Sequence, residues 1–191
     1  MAFDLDMTLV DSRPVSQRAL ERLVAEHDYD LDIGSLMARY GLPLSQWLPA
    51  GSDHALFRSL QAEDTSGAES MPGAPAAVAA VRRLGGRVVV VTAAPGEIAV
   101  EMLRALGIVV DGVRADVWAA GKVEPLREEK CWAFVGDHAD DMSAARQAGA
   151  IAIGVATGMS PPIGADVEFE DLNAFAVAFE PAEWSRSITS R

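Results

Sequence analysis

"RVVVVTA", residues 87–93, is the longest apolar β-branched run of the chain. Its four consecutive valines, Val88 to Val91, alternate between the two faces of an extended chain, so neither face can meet water. A strand covered on both sides belongs to a parallel sheet held between helical layers. "WAFVGD" (132–137) and "AIAIGVATG" (150–158) have the same character, and "MAFDLD" (1–6) makes a fourth such strand. "GVRADVW" (112–118) is a weaker candidate. Helical patterns lie between them. "PAAVAAVRRLGG" (75–86) stops on glycines, "PGEIAVEMLRALG" (95–107) opens on a proline, and "DDMSAARQAG" (140–149) carries aspartates at its start, with Asp140 as the expected N-cap. This alternation predicts an α/β fold with a doubly wound parallel sheet.

Residues 14–70 break the rhythm. "VSQRALERLVAEH" (15–27), "DIGSLMARYG" (32–41) and "DHALFRSLQAE" (53–63) read as helices, followed by the polar "DTSGAES" (64–70). The expected organisation is an α/β core from 1–13 and 71–191, with a small helical cap, 14–70, inserted after the first strand. Its hinges fall near Asp11–Pro14 and Ala68–Pro72. The polar ending "SRSITSR" is expected to fray, and residues 180–191 carry no functional signal.

Of the 191 residues, 50% are hydrophobic and only 6% aromatic, which suits an aliphatic α/β core. The net charge of −12 repels phosphate backbones and argues against nucleic acid as a partner. A single cysteine, Cys131, allows neither an internal disulfide nor a thiolate metal cluster, and it is expected to pack as a small apolar side chain. No apolar run approaches the ~20 residues a membrane span needs. The expectation is a soluble, cytoplasmic protein with no membrane contact.

In doubly wound sheets, ligands bind beyond the carboxyl ends of the strands. Here those ends carry Asp4 and Asp6, then Thr92, then Asp137 with Asp140 and Asp141. Two carboxylates about 4 Å apart repel by about 4 kcal/mol at an effective dielectric of about 20. Protons, a lysine or a divalent cation must therefore sit among them. An all-oxygen set with no histidine or thiolate favours a hard ion, Mg²⁺ before Zn²⁺. Lys122 in "GKVEPL" is a candidate cation, with Lys130 and Arg127 as competitors. Aspartates on a divalent ion, with a threonine hydroxyl and a lysine facing the same point, make a phosphoryl-binding site.

"DLDMT", the strand-end Thr92, Lys122 and "GDHADD" follow the order and context of four motifs. As a set they resemble the haloacid dehalogenase-like (HAD) superfamily over essentially the whole chain. The phosphoglycolate-phosphatase-like branch, with a short C1-type cap, looks nearest. There "GLPL" (41–44) resembles the substrate-facing loop of the cap. The resemblance implies Asp4 as a nucleophile that becomes phosphorylated. Asp6 becomes the acid that protonates the leaving oxygen and then the base that activates water. Thr92 and Lys122 hold the phosphoryl group. Asp4, Asp137 and the backbone carbonyl of Asp6 hold Mg²⁺, with Asp141 orienting its water. Asp6 also separates the chain from true dehalogenases of this fold, which lack the second aspartate. The implied partner is a small phosphorylated substrate.

Met7 departs from the family's usual "DxDGT", because methionine resists the positive φ that glycine accepts. Two other readings stand beside the phosphomonoester hydrolase: a sugar-phosphate mutase on the same fold, and an inert phospholigand-binding or interaction protein. His138, His27, His54, Arg13 and Arg39 read as solvated groups, and Trp47 and Trp118 as packing residues near the cleft.

Overall fold

A computed structural model describes residues 1–157 and 161–179. A six-stranded sheet runs in the order β5-β4-β1-β6-β7-β8. These strands are β1 (Ala2–Phe3), β4 (Val89–Val91), β5 (Gly112–Arg114), β6 (Ala133–Gly136), β7 (Ile151–Val155) and β8 (Val167–Phe169). All five pairings are parallel. The valine run behaves as its composition demands. Val88 and Val90 enter the core on one face with Phe3, Val135 and Phe175, while Val89 and Val91 pack on the other with Phe134, Leu126 and Met142. The first layer contains α5 (Ala74–Arg83), α6 (Gly96–Ala105) and α9 (Leu172–Ala178). The second contains α7 (Val123–Glu128) and α8 (Ala139–Ala148).

From β1 the chain steps to β4 and β5 on one side, then returns to β6 on the other. That reversal opens a crevice beyond the carboxyl ends of β1, β4 and β6, where three polar strand ends meet. The first strand is shorter than "MAFDLD" suggests. After Asp4, whose N–H donates to the Val135 carbonyl at 2.8 Å, the chain folds over itself. The N–H groups of Thr8, Leu9 and Val10 all converge on the Leu5 carbonyl.

Two short strands, β2 (Val10–Asp11) and β3 (Glu69–Ser70), pair antiparallel where the chain leaves for the cap and comes back. Between them lie α1 (Arg13–His27), α2 (Ile33–Met37), α3 (Leu44–Trp47) and α4 (His54–Glu63). They enclose a separate core of Leu20, Leu23, Leu36, Trp47, Phe57 and Leu60. Helix α3 and this β2–β3 ladder are too short to leave a periodicity in sequence.

Two further elements have no counterpart in the sequence reading. Strand β8 has two of its three residues exposed at the sheet edge, so it lacks the apolar run that marks the central strands. Helix α9 is started by Asp171, whose carboxylate accepts from the Ala174 N–H at 2.8 Å. The N-cap of α8 is His138, not Asp140. The His138 ring nitrogen accepts from the Asp140 N–H at 3.2 Å, and Asp141 accepts from the His138 N–H at 3.3 Å. A carboxylate three residues into the helix completes this reciprocal cap, leaving Asp140 in the first turn. Among the described residues no helix is long and apolar enough to cross a membrane. Gly158, the last residue of the stretch 150–158, and the stretch 180–191 lie outside the described residues.

Candidate active site

Asp4 follows β1, Thr92 follows β4, and Asp137 follows β6, all with little exposure. Lys122 closes a 3₁₀ turn (Ala119–Lys122) that leads into α7. Its amine, only 2% exposed as a residue, lies 2.7 Å from Asp141 Oδ1 and 2.9 Å from Asp4 Oδ1, with the Phe134 ring 5.5 Å away. Arg127 instead donates to the Gln147 carbonyl at 2.6 Å, and Lys130 occupies a left-handed turn after α7. The lysine beside the aspartates is Lys122.

Gly136 lets this happen. A Cβ there would fall 2.6 Å from both the Cβ and Oδ2 of Asp141, so the backbone of β6 and the carboxylate of α8 approach only because position 136 has no side chain. Thr8, fully buried, donates its hydroxyl to Asp137 Oδ1 at 2.9 Å. The carboxylate of Asp6 accepts from Ser12 on Oδ1, and Thr92 Oγ1 reaches Oδ2 at 3.5 Å. Thr8, at the same two-residue step as Asp4 and Asp6, carries no role in the sequence reading. Ser12 and Tyr40 had no local signal.

Burial dominates the electrostatics. It pushes the Asp4 carboxyl well above its ordinary range. Lys122 opposes that shift, and the charges of Asp141, Asp137 and Asp6 add to it. Asp6 is likewise raised by burial, against the Ser12 hydrogen bond. Asp137 is pushed up to about 7, first by burial and then by Asp141. For Lys122 burial disfavours the charge, but Asp141 and Asp4 outweigh it and hold the amine charged. Among the described residues, Asp4 Oδ1 has Lys122 within ion-pair distance but no hydrogen-bond partner of suitable geometry. One lysine does not balance four acids, and a buried charge left unmatched is costly.

Asp4, Asp137 and Asp141 each offer one carboxylate oxygen, and these atoms lie within 4.8 Å of one another. An orphaned buried oxygen, an excess of negative charge and an all-oxygen donor set fit a small hard cation. The Asp6 carboxylate lies outside this trio, and the contact read for Asp6 is its backbone carbonyl.

The cleft over these groups has a volume of about 290 Å³. Core residues Asp4, Asp6, Lys122 and Trp118 line it from below, and cap residues Tyr40, Leu42, Phe57 and Gln61 from above. Trp47 also reaches it, from within the cap core, and Gly41 to Leu44, the "GLPL" loop, form part of the wall. Arg13 pairs with Asp11 at 2.5 Å, and Arg39 reaches the Trp47 carbonyl at 3.5 Å; neither is among the lining residues.

Comparison with known proteins agrees with this architecture. A haloacid dehalogenase-like hydrolase family protein from Streptococcus pneumoniae is similar at a TM-score of 0.75 and 18% identity, covering 94% of this chain and 97% of its own. CbbY from Rhodobacter sphaeroides, in complex with phosphate, is similar at 0.74 and 20%, covering 96% and 97%. A predicted phosphoglycolate phosphatase from Haemophilus somnus is similar at 0.71 and 20%, covering 99% and 96%. No curated protein matches the chain by sequence. The model of the family described as haloacid dehalogenase-like hydrolase matches residues 1–146, and the chain belongs to that family.

Proposed function

We propose that the protein is a Mg²⁺-dependent phosphomonoester hydrolase for a small phosphorylated metabolite, with the roles divided as follows. Asp4, at the mouth of the crevice, attacks phosphorus. The Asp4 O–P bond forms as the bond to the leaving oxygen breaks, and Asp6 gives its proton to that oxygen. Asp6 then takes a proton from the water that attacks the aspartyl-phosphate, and the Asp4 O–P bond breaks to release phosphate. Thr92 and Lys122 donate to the phosphoryl oxygens, and burial makes each such contact stronger than it would be in water. Asp4, Asp137 and Asp141 would hold the cation, which when bound supplies positive charge beside the transferring group.

The observation that carries this reading is the cluster of Asp4, Asp137 and Asp141 around Lys122, directly beneath a cleft of metabolite size. The similar structures support the substrate class without fixing the substrate. CbbY has been captured with xylulose-1,5-bisphosphate, and the Haemophilus somnus protein is named for phosphoglycolate.

The test is phosphate release from 4-nitrophenyl phosphate with Mg²⁺, with EDTA, and by Asp4→Asn. Activity that requires the metal and disappears in the variant is expected. Turnover unaffected by both would remove the mechanism. A mutase would instead convert a hexose phosphate to its isomer without releasing phosphate.

A further inference from the structure

Asp6 has two carboxylate oxygens with different neighbours. Ser12, at the hinge just before α1, donates its hydroxyl to Oδ1. A hydroxyl has one proton, so Ser12 Oγ can only accept in its second contact, 2.7 Å from the Tyr40 hydroxyl. While Ser12 donates to Asp6, Tyr40 is the donor to Ser12, and the same hydroxyl also lies within reach of Asp6 and Ser16. In that state the order Tyr40, Ser12, Asp6 Oδ1 runs one way, with Oδ1 the acceptor.

Tyr40 comes from the cap, in the turn after α2 that precedes the "GLPL" loop. Its ring packs against both the cap core and the main core. Trp47 holds it edge-on, with centroids 5.4 Å apart and planes at 87°. The Trp47 indole N–H donates in turn to the Leu36 carbonyl at 2.5 Å. The cap core thus aims one hydroxyl at the hinge serine.

We infer that Tyr40 is a positioning residue for proton transfer. When the cap is seated it completes a one-way hydroxyl chain that reserves Asp6 Oδ1 for accepting. Oδ2, on the Thr92 side, is then the oxygen that carries the proton to the leaving group and takes one from water. The inference rests on the reading of Asp6 as the acid and base. Without Tyr40, the Ser12 hydroxyl can turn away, Asp6 can rotate or place its proton on Oδ1, and delivery to the leaving oxygen fails more often. Substrates that need a proton on departure suffer most.

The experiment compares kcat/KM for glycerol 3-phosphate, whose alkoxide must be protonated, with that for 4-nitrophenyl phosphate, whose phenolate leaves without help. In Tyr40→Phe the alkyl-to-aryl ratio is expected to fall about tenfold, a fraction of the roughly 100- to 10,000-fold that acid–base catalysis supplies, because Asp6 itself stays in place. Ser12→Ala should lower the ratio similarly, and the double variant should be no worse than the more damaged single one, because both remove the same chain. A fall shared equally by the two substrates, no fall, or additive losses in the double variant would overturn the inference. Asp6→Asn is the control for the underlying reading. If it shows no preference for damaging the alkyl ester, the assignment of Asp6 fails, whatever Tyr40→Phe does.

Discussion

Met7 is the residue at which the chain departs from its family's pattern, and its backbone is in the glycine region, with φ 58°. A side chain there costs roughly 1–2 kcal/mol. The surroundings enforce the conformation: the Met7 N–H donates to the Val10 carbonyl at 2.8 Å, and its own carbonyl accepts from the Thr157 hydroxyl at 2.5 Å. The side chain is 4% exposed, so it recovers apolar burial worth about 1.5–3 kcal/mol, which offsets the strain. The expected stability order is unusual. Met7→Ala loses the burial and keeps the strain, whereas Met7→Gly loses both. Urea unfolding should find Met7→Gly more stable than Met7→Ala by about 1 kcal/mol, the reverse of glycine's usual penalty. Equal stabilities, or the usual order, would mean the turn relaxes.

At the scale of elements, the sheet was legible because a buried parallel strand needs apolar side chains on both faces. The run at Val88–Val91 satisfies that in one glance. Edge strand β8 was not, since an exposed edge imposes no such pattern. The polar strand ends were legible for a related reason: Asp4, Thr92 and Asp137 are set there by local sequence alone. Thr8, Ser12 and Tyr40 were not, because the contacts of Thr8 with Asp137, Ser12 with Asp6 and Tyr40 with Ser12 depend on a folded-back turn and on the docking of the cap. Lys122 stood among three candidates until the short 3₁₀ turn fixed its direction. The junction of β6 and α8 offers a sharp test. Gly136→Ala places a methyl group where Asp141 now lies, 2.6 Å away, and must displace that carboxylate from Lys122. With the buried pair disturbed, a loss of about 3 kcal/mol or more in unfolding free energy and a large drop in phosphate release are expected. A fully active, equally stable variant would contradict the role given to this close approach.

Over the whole molecule, the net charge of −12 and the acids in the crevice make metal-free protein sensitive to pH. Asp137 is raised from its unfolded value to about 7, and Asp4 and Asp6 are raised in the same direction. A raised carboxyl favours folding fully below its unfolded pKa, and that contribution is lost as pH rises through the folded pKa. Asp11, Asp111, Asp166 and Asp171 are lowered by their hydrogen bonds and act oppositely, losing their contribution in acid. Metal-free protein is therefore expected to be most stable at weakly acidic pH. A cation binds only the ionised acids, so Mg²⁺ should raise Tm far more at about pH 8 than at about pH 5.5. Thermal melts with and without the ion measure this directly. An equal rise at both values would place the ion elsewhere than Asp4 and Asp137.

The covalent role proposed for Asp4 can be tested without knowing the natural substrate. Enzyme mixed with Mg²⁺ and 4-nitrophenyl phosphate, quenched in acid during turnover and digested, should yield the peptide containing Asp4 with one phosphoryl group attached. Asp4→Asn should yield none. A phosphoryl group found on another residue in the actively turning enzyme would contradict the account.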